Sequence, residues 1–342
     1  MTVVAASVIG GIPVWAAGGH WLMTSASAKV DLARRLREAL NDVGLKLVAT
    51  DVSALAPALY AADEAFLGRP DGAPDYIDHL IEACQRCSVR VIVPTRDAEL
   101  PLLLSGAERL AEAKIWVMAS PLDSVLCCQD KIGFHQWCLQ EGVPVLPAVA
   151  PETEPDFPVF VRPRFGAGGK GSRRVDSPGE LPAPLSDQDW LVQPFRALPE
   201  YTIDALFDFR GTPVQWVVRE RLEVVAGESK VSRTVSEPAL DRLVLDVGDR
   251  MDLFGAVTLQ AFFSPGDGPW LIEINPRFGG ACALGIEAGL ATPERLVALV
   301  QGDRDRFERS RPIRVGLTML RYSADYFIDS GYALSFDGPK DP

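Results

Sequence analysis

Histidine is scarce in this chain: only His20, His79 and His135 occur among 342 residues. The six cysteines stand at 84, 87, 127, 128, 138 and 282, and only Cys84 and Cys87 are spaced as a CxxC. A zinc site would want a second such pair or clustered histidines, and neither is present. A redox pair would open a helix after a strand, whereas this one closes a predicted helix just before the strand Val89–Val93. Reduced, structural cysteines are the expectation. Basic residues are in the minority, with 34 Lys and Arg against 46 Asp and Glu and a net charge of −12. Such a field repels phosphate backbones and argues against a nucleic-acid partner. It does not argue against ATP, because local cations set the potential inside a site. Long apolar runs are missing too. Residues 1–28 carry no charged side chain, but Gly10, Gly11, Pro13, Gly18 and Gly19 interrupt them and no basic segment precedes. A glycine-rich extension over residues 1–19 is expected there, not a membrane span, and the protein is expected to be cytoplasmic. The last absence is a dinucleotide fingerprint. After the first predicted strand, Trp21–Thr24, the chain reads Thr24-Ser25-Ala26-Ser27-Ala28-Lys29 with no GxGxxG, so a Rossmann dinucleotide site fails at its first turn.

What the chain does have is alternation. Ala28–Asn41 places Val30, Leu32, Ala33, Leu36 and Leu40 on one helical face, and Gly44 closes it. Leu45–Ala49 reads as a strand, Asp75–Cys87 as a helix, Val89–Val93 as a strand, Asp97–Ala113 as a helix and Ile115–Met118 as a strand. Apolar strands alternating with helices predict a parallel sheet covered on both faces. From Asp130 the texture changes. A helix over Asp130–Gln140 gives way to Pro144, Pro147, Pro151, Pro155 and Pro158, then to the strand Val159–Arg162. Beyond Leu191, strand pairs dominate: Tyr201–Phe209 with Val214–Val224, and Val257–Phe263 with Trp270–Asn275. A last helix is expected from Pro293 to Val300, with Thr292 as its N-cap and Gly302 past its end.

The second strand pair carries the clearest chemistry. In Trp270-Leu271-Ile272-Glu273-Ile274-Asn275 the apolar residues face one side, while Glu273 and Asn275 share the other. A hairpin symmetric about its loop sets Gln260 opposite Glu273. Three oxygen-bearing side chains then meet on one polar face, the donor type that Mg²⁺ prefers to share with phosphates. A solvated polar face is the plain alternative. The loop Arg164-Phe165-Gly166-Ala167-Gly168-Gly169-Lys170-Gly171-Ser172 misses the P-loop pattern GxxxxGK[ST], since Gly171 follows the lysine and Arg164 stands where the first glycine belongs. A mobile lid laying backbone N–H groups over phosphates fits better. Arg162 and Lys131 offer positive charge beside it.

Taken in order, Asp130-Lys131, Val159-Phe160-Val161-Arg162-Pro163 with its glycine loop, Gln193-Pro194-Phe195, Glu200-Tyr201-Thr202-Ile203-Asp204, Gln260 and Glu273-Ile274-Asn275-Pro276-Arg277 resemble the ATP-grasp superfamily. Within it the chain is similar to the carbamoyl-phosphate-synthetase-like branch, and to small single-chain carboxylate–amine ligases such as that of pyrrolysine biosynthesis. The resemblance implies a mixed α/β and α+β fold. Its parts would be a parallel α/β domain over 20–120, a lid subdomain over 121–194, an antiparallel-sheet subdomain over 195–325 and a tail over 326–342. It implies ATP as cofactor with two Mg²⁺ ions, for which Mn²⁺ substitutes, and an acyl phosphate released as an amide with ADP and phosphate. Lys131 and Arg162 would contact the phosphates under Gly166, Gly168, Gly169 and Gly171. Gln193, Pro194 and Phe195 would hold adenine, and Glu200 or Gln193 the ribose. Gln260, Glu273 and Asn275 would hold metal, and Arg277 would neutralise the acyl phosphate. Arg219, Arg221, Lys230 and Arg96 are candidates for substrate carboxylates, with exposed charge as the plain alternative. The implied partners are small carboxylates and amines, amino acids among them, and a second copy in a homodimer. A nucleotide-binding protein without turnover, or another carboxylate-phosphorylating enzyme of the same fold, is the alternative.

Overall fold

The computed structural model describes residues 8–9, 12–149, 153–182, 189–225 and 227–329, so the expected extension and tail lie partly outside the described residues. By its contacts the chain divides into two units, Met1–Leu122 with Ala291–Arg311 and Ser323–Pro342, and Asp123–Leu290 with Pro312–Tyr322. Residues 291–311 thus group with the N-terminal unit, not with the preceding sheet as the expected 195–325 boundary has it. The cause is packing: the helix Thr292–Val300 lies against the helix Val30–Asn41.

In the first unit five parallel strands, β1 (His20–Met23), β2 (Leu47–Asp51), β3 (Glu64–Leu67), β4 (Val89–Val93) and β5 (Trp116–Val117), are ordered β3-β2-β1-β4-β5. Trp21, Leu22, Met23, Leu47, Val48 and Ala49 are all fully buried, as strands covered on both faces must be. Helix α1 (Val30–Asn41) buries Leu32, Ala33, Leu36 and Leu40 as predicted, with Ala39 added and Val30 half-buried, and α2 (Tyr76–Arg86) buries Ile77, Leu80, Ala83 and Cys84. The expected single helix over Asp97–Ala113 is broken into Asp97–Glu99, Leu100–Ser105 and Ala107–Glu112. A Cβ on Gly106 would come within 2.7 Å of Ile77 Cδ1, so α2 packs into the break. The last helix also starts differently. Thr292 is its first residue, and Ala291, at φ 49°, occupies the cap position.

The second unit holds two antiparallel sheets. The small one orders β6 (Val159–Pro163), β7 (Arg173–Val175) and β8 (Trp190–Pro194) as β8-β6-β7. The large one has six strands: β9 (Glu200–Phe207), β10 (Pro213–Val225), β11 (Glu228–Val235), β12 (Gly255–Ser264), β13 (Asp267–Asn275) and β14 (Thr318–Leu320), ordered β13-β12-β9-β10-β11-β14. On one face Tyr201, Ile203, Ala205 and Phe207 join a core with Leu240, Leu243, Val244 and Val247 of helix α4 (Pro238–Gly248) and with Phe134 and Cys138 of α3 (Lys131–Glu141). Alternation puts Glu200, Thr202 and Asp204 on the opposite face. Neither α4 nor β11 is anticipated in the sequence reading. All six cysteines are free, and burial pushes the thiols of Cys84 and Cys87 up, away from thiolate reactivity. No helix among the described residues is long and apolar enough to cross a membrane.

Candidate active site

Strand register assembles the site. Gln260 is paired with Glu273 on β13 and with Thr202 on β9. Thr202 is paired in turn with Arg219 on β10, and Arg219 with Thr234 on β11. One polar row therefore crosses five neighbouring strands of the large sheet, ~4.8 Å apart per strand. The predicted symmetric hairpin register holds at Thr258–Asn275, Leu259–Ile274 and Gln260–Glu273, then shifts at bulges nearer the turn.

The Glu273 carboxylate is the hub. Its Oε1 accepts from Gln260 Nε2 at 2.8 Å and from Asn275 Nδ2 at 3.1 Å, while Arg162 Nη2 lies 3.2 Å from Oε2. Arg162 is buried and also donates to the Ile272 carbonyl at 3.3 Å. Burial pulls its pKa below the ordinary guanidinium value, against Glu273 and Glu200, which pull it up. Arg277 Nη2 donates to Asn275 Oδ1 at 3.2 Å and Nη1 to the Phe278 carbonyl at 2.9 Å. Glu273, Gln260, Asn275, Arg162 and Arg277 thus form one connected set.

The glycine loop is tied to the start of α3. Asp130 caps that helix, accepting from Ile132 N at 3.1 Å and Gly133 N at 3.0 Å. Arg164 Nε and Nη2 grip the same carboxylate at 2.9 and 2.5 Å. Burial favours the protonated acid, but Arg164 and the helix N–H groups outweigh it and hold Asp130 below the usual carboxylate range. Lys131 Nζ donates to the Gly166 carbonyl at 2.7 Å. Gly166, Gly168, Gly169 and Gly171 all take positive φ, between 65° and 127°, a turn that side chains would strain. The Asp130–Arg164 clamp is absent from the sequence reading, where Arg164 counts only as a misfit to the P-loop pattern.

The remaining predicted residues divide. Gln193 is buried and donates Nε2 to the Leu146 carbonyl at 2.8 Å, and the Phe195 N–H is taken by the Pro158 carbonyl at 3.0 Å. Pro194 ends β8 beside them. Glu200 is paired with Arg221, and burial raises its pKa despite that guanidinium. Arg221 also donates to Gln260 Oε1 at 2.9 Å, Ser229 Oγ at 3.0 Å and the Gly227 carbonyl at 2.7 Å, which joins it to the hub. Lys230 lies near Glu228 at 3.4 Å, half-exposed. Arg96, in the other unit, is clamped by Asp71 at 2.6 Å.

Arg219 is the surprise: instead of exposed strand charge it is 2% exposed, with Nε 2.8 Å from Asp204 Oδ2. Removing one partner of such a pair strands a buried charge. Asp204→Ala is expected to destabilise the second unit by about 3–5 kcal/mol in denaturant unfolding. A loss below about 1 kcal/mol, the range of an exposed pair, would contradict this assignment.

The donor chemistry fits a hard divalent cation. Among the described residues no three His, Cys, Asp or Glu side chains gather as a metal cluster. Gln260, Glu273 and Asn275 instead offer one carboxylate and two amides. Such a set suits Mg²⁺, which takes the rest of its shell from phosphates and water.

Comparison with known proteins bears on the fold that carries these residues. Residues 21–118 match the family model of the PylC-like N-terminal domain, and residues 186–319 match one described as ATP-grasp in the biosynthetic pathway with Ter operon. The chain has the ATP-grasp fold. More particularly, its first part is similar to the PylC-like N-terminal domain, its later part to an ATP-grasp domain, and a stretch of it to the large chain of carbamoyl phosphate synthase. The large chain of that enzyme from two strains of Thermus thermophilus is 28% identical over 216 residues, covering 54% of this chain and 20% of the relative, so this chain spans only about a fifth of those relatives. Among solved structures, a biotin carboxylase from Campylobacter jejuni in complex with a β,γ-ATP ligand superposes with TM-score 0.69 at 17% identity, covering 89% of this chain and 75% of that one. N5-carboxyaminoimidazole synthetase from Staphylococcus aureus with ADP gives TM-score 0.63 at 15% identity over 90% and 94%.

Proposed function

We propose that the protein is an ATP-dependent ligase that activates a small carboxylate as its acyl phosphate and joins it to an amine. The observation that carries this reading is the hub itself. Gln260, Asn275 and Arg162 converge on the single carboxylate of Glu273, and Arg277 is tied to the same asparagine. That set matches the terminal phosphate of a nucleotide better than a ribose or an adenine. Arg162 and Lys131 lean on Glu273 and on the Gly166 carbonyl, partners they would exchange for phosphate oxygens. Gln260, Glu273 and Asn275 would hold two Mg²⁺ ions, which when bound supply charge neutralisation on the phosphates.

The chain's own residues do the rest. The glycine loop lays N–H groups over the phosphates and keeps water from the acyl phosphate. Gln193 to Phe195 edge the adenine position. Glu200 or Gln193 would hold the ribose: Gln193 already gives its Nε2 to the Leu146 carbonyl, and Glu200 is paired with Arg221. A carboxylate oxygen attacks the γ-phosphorus and the bond to ADP breaks. Arg162 and Arg277 stabilise the charge that builds on the transferring group. The amine nitrogen then attacks the acyl carbon, the carbon–oxygen bond to phosphate breaks, and the nitrogen loses a proton.

ADP release measured against pools of amino acids and other small acids, with mass spectrometry of products, tests the proposal. Turnover is expected to need both a carboxylate and an amine. Full turnover with bicarbonate and no organic acid would assign a carboxylating reaction instead.

A further inference from the structure

The segment that follows β13 carries Arg277 and then runs over the polar face of the large sheet, where it is held unusually close. Gly279 and Gly285 are the points of contact. A Cβ on Gly279 would stand 2.7 Å from Thr258 Oγ1, 3.1 Å from Thr258 Cγ2 and 3.3 Å from Asp204 Oδ1. A Cβ on Gly285 would stand 3.0 Å from Asp204 Oδ2 and 3.1 Å from Asp204 Cβ. Neither glycine takes a positive φ, so what these positions require is space rather than a special backbone conformation. The surface they press on is rigid. Asp204 is 4% exposed and locked by Arg219, and Thr258 is its cross-strand partner on β12. Thr258 Oγ1 also donates to the Arg277 carbonyl at 3.3 Å.

We infer that the Asp204–Arg219 pair and Thr258 form a seat into which Gly279 and Gly285 dock, and that this docking fixes where Arg277 stands over the metal-site asparagine. The inference rests on the ligase reading for what Arg277 does, but the seat itself is a matter of packing. Arg277 lies two residues before the first docking point and two residues after Asn275, whose carbonyl and side chain it also holds at 2.8 and 3.2 Å. So short a tether converts a shift of the docking point into a shift of the guanidinium. The seat also accounts for the buried arginine on β10. Arg219 acts as a positioning residue through Asp204, and its place in a row of site residues does not make it a ligand for substrate.

Steric substitution with compensating space tests this. Gly279→Ala is expected to lower kcat by about 10²-fold, the scale of an ångström-sized misplacement. The KM for ATP should stay within about threefold, because the phosphate and adenine contacts lie elsewhere. Removing the clashing hydroxyl and methyl by Thr258→Ala in the same chain should restore kcat by about tenfold over the single variant, a rescue that simple destabilisation would not give. Gly285→Ala, whose nearest contact is 3.0 Å against 2.7 Å for Gly279, provides a second and milder variant. Unchanged kcat in folded Gly279→Ala or Gly285→Ala would overturn the seat, as would a double variant no faster than Gly279→Ala. Absence of ATP turnover in the unaltered protein would instead bear on the ligase reading. Fold integrity is read in parallel from thermal unfolding of each variant.

Discussion

Glu273→Ala is expected to reduce ATP-dependent turnover by about 10³-fold or more while leaving the protein folded. The residue is half-exposed near the end of β13, with a side chain 31% exposed, so its loss opens no core cavity, and the buried Arg162 keeps the Ile272 carbonyl and the nearby Glu200 charge. What it removes is the shared acceptor of Gln260, Asn275 and Arg162. Without it the two amides have no common oxygen to converge on and the cations lose their only carboxylate in the set. Asn275→Ala should cost less, since it deletes one neutral donor and leaves Glu273 held by Gln260 and Arg162. Coupled ADP detection at low millimolar Mg²⁺ measures both. Near-normal turnover in Glu273→Ala would remove the metal assignment altogether.

Arg162→Ala carries the second large effect, a loss of about 10²–10³-fold in kcat/KM, the scale seen when one preorganised donor is deleted from a site of developing charge. Arg162 is 7% exposed and its guanidinium reaches from the small sheet to the hub, so no other side chain of β6 substitutes for it. Arg162→Lys should recover only part of the loss, because an ammonium cannot span both the Ile272 carbonyl and a carboxylate or phosphate oxygen as a planar fork does. Steady-state kinetics over ATP and Mg²⁺ separate the outcomes. Unchanged kcat/KM in Arg162→Ala would place the residue outside the chemistry and leave it a structural counter-ion of Glu273.

Much of the site is legible in the sequence because strand alternation is a short-range rule. Glu273 and Asn275 share a face by spacing alone, and hairpin symmetry brings Gln260 opposite, correct as far as the bulge after Gln260. The parallel sheet is legible for a similar reason: apolar runs such as Trp21-Leu22-Met23 and Val91-Ile92-Val93 have no polar face to show. Reading the chain beyond Leu191 as strand pairs hid α4, although Leu240, Leu243, Val244 and Val247 repeat at helical spacing. It also hid β11, whose polar Ser229, Lys230, Ser232 and Arg233 look like loop. Arg219 and Arg221 are ambiguous in sequence because their partners Asp204 and Glu200 lie 15 and 21 residues earlier, across the register of β9 and β10. Local sequence does not fix that register, and without it a buried pair cannot be told from exposed charge. The grouping of residues 291–311 with the first unit depends on helix packing between segments far apart in sequence, which no local pattern encodes.

The identity of the nucleotide product tests the account most directly. With ATP, Mg²⁺, a turnover-supporting carboxylate and hydroxylamine in place of the amine, the hub around Glu273 and Arg277 predicts ADP and phosphate in equal amounts with one hydroxamate formed per ATP. AMP and pyrophosphate as the stoichiometric products would contradict it, because attack would then fall on the α-phosphate.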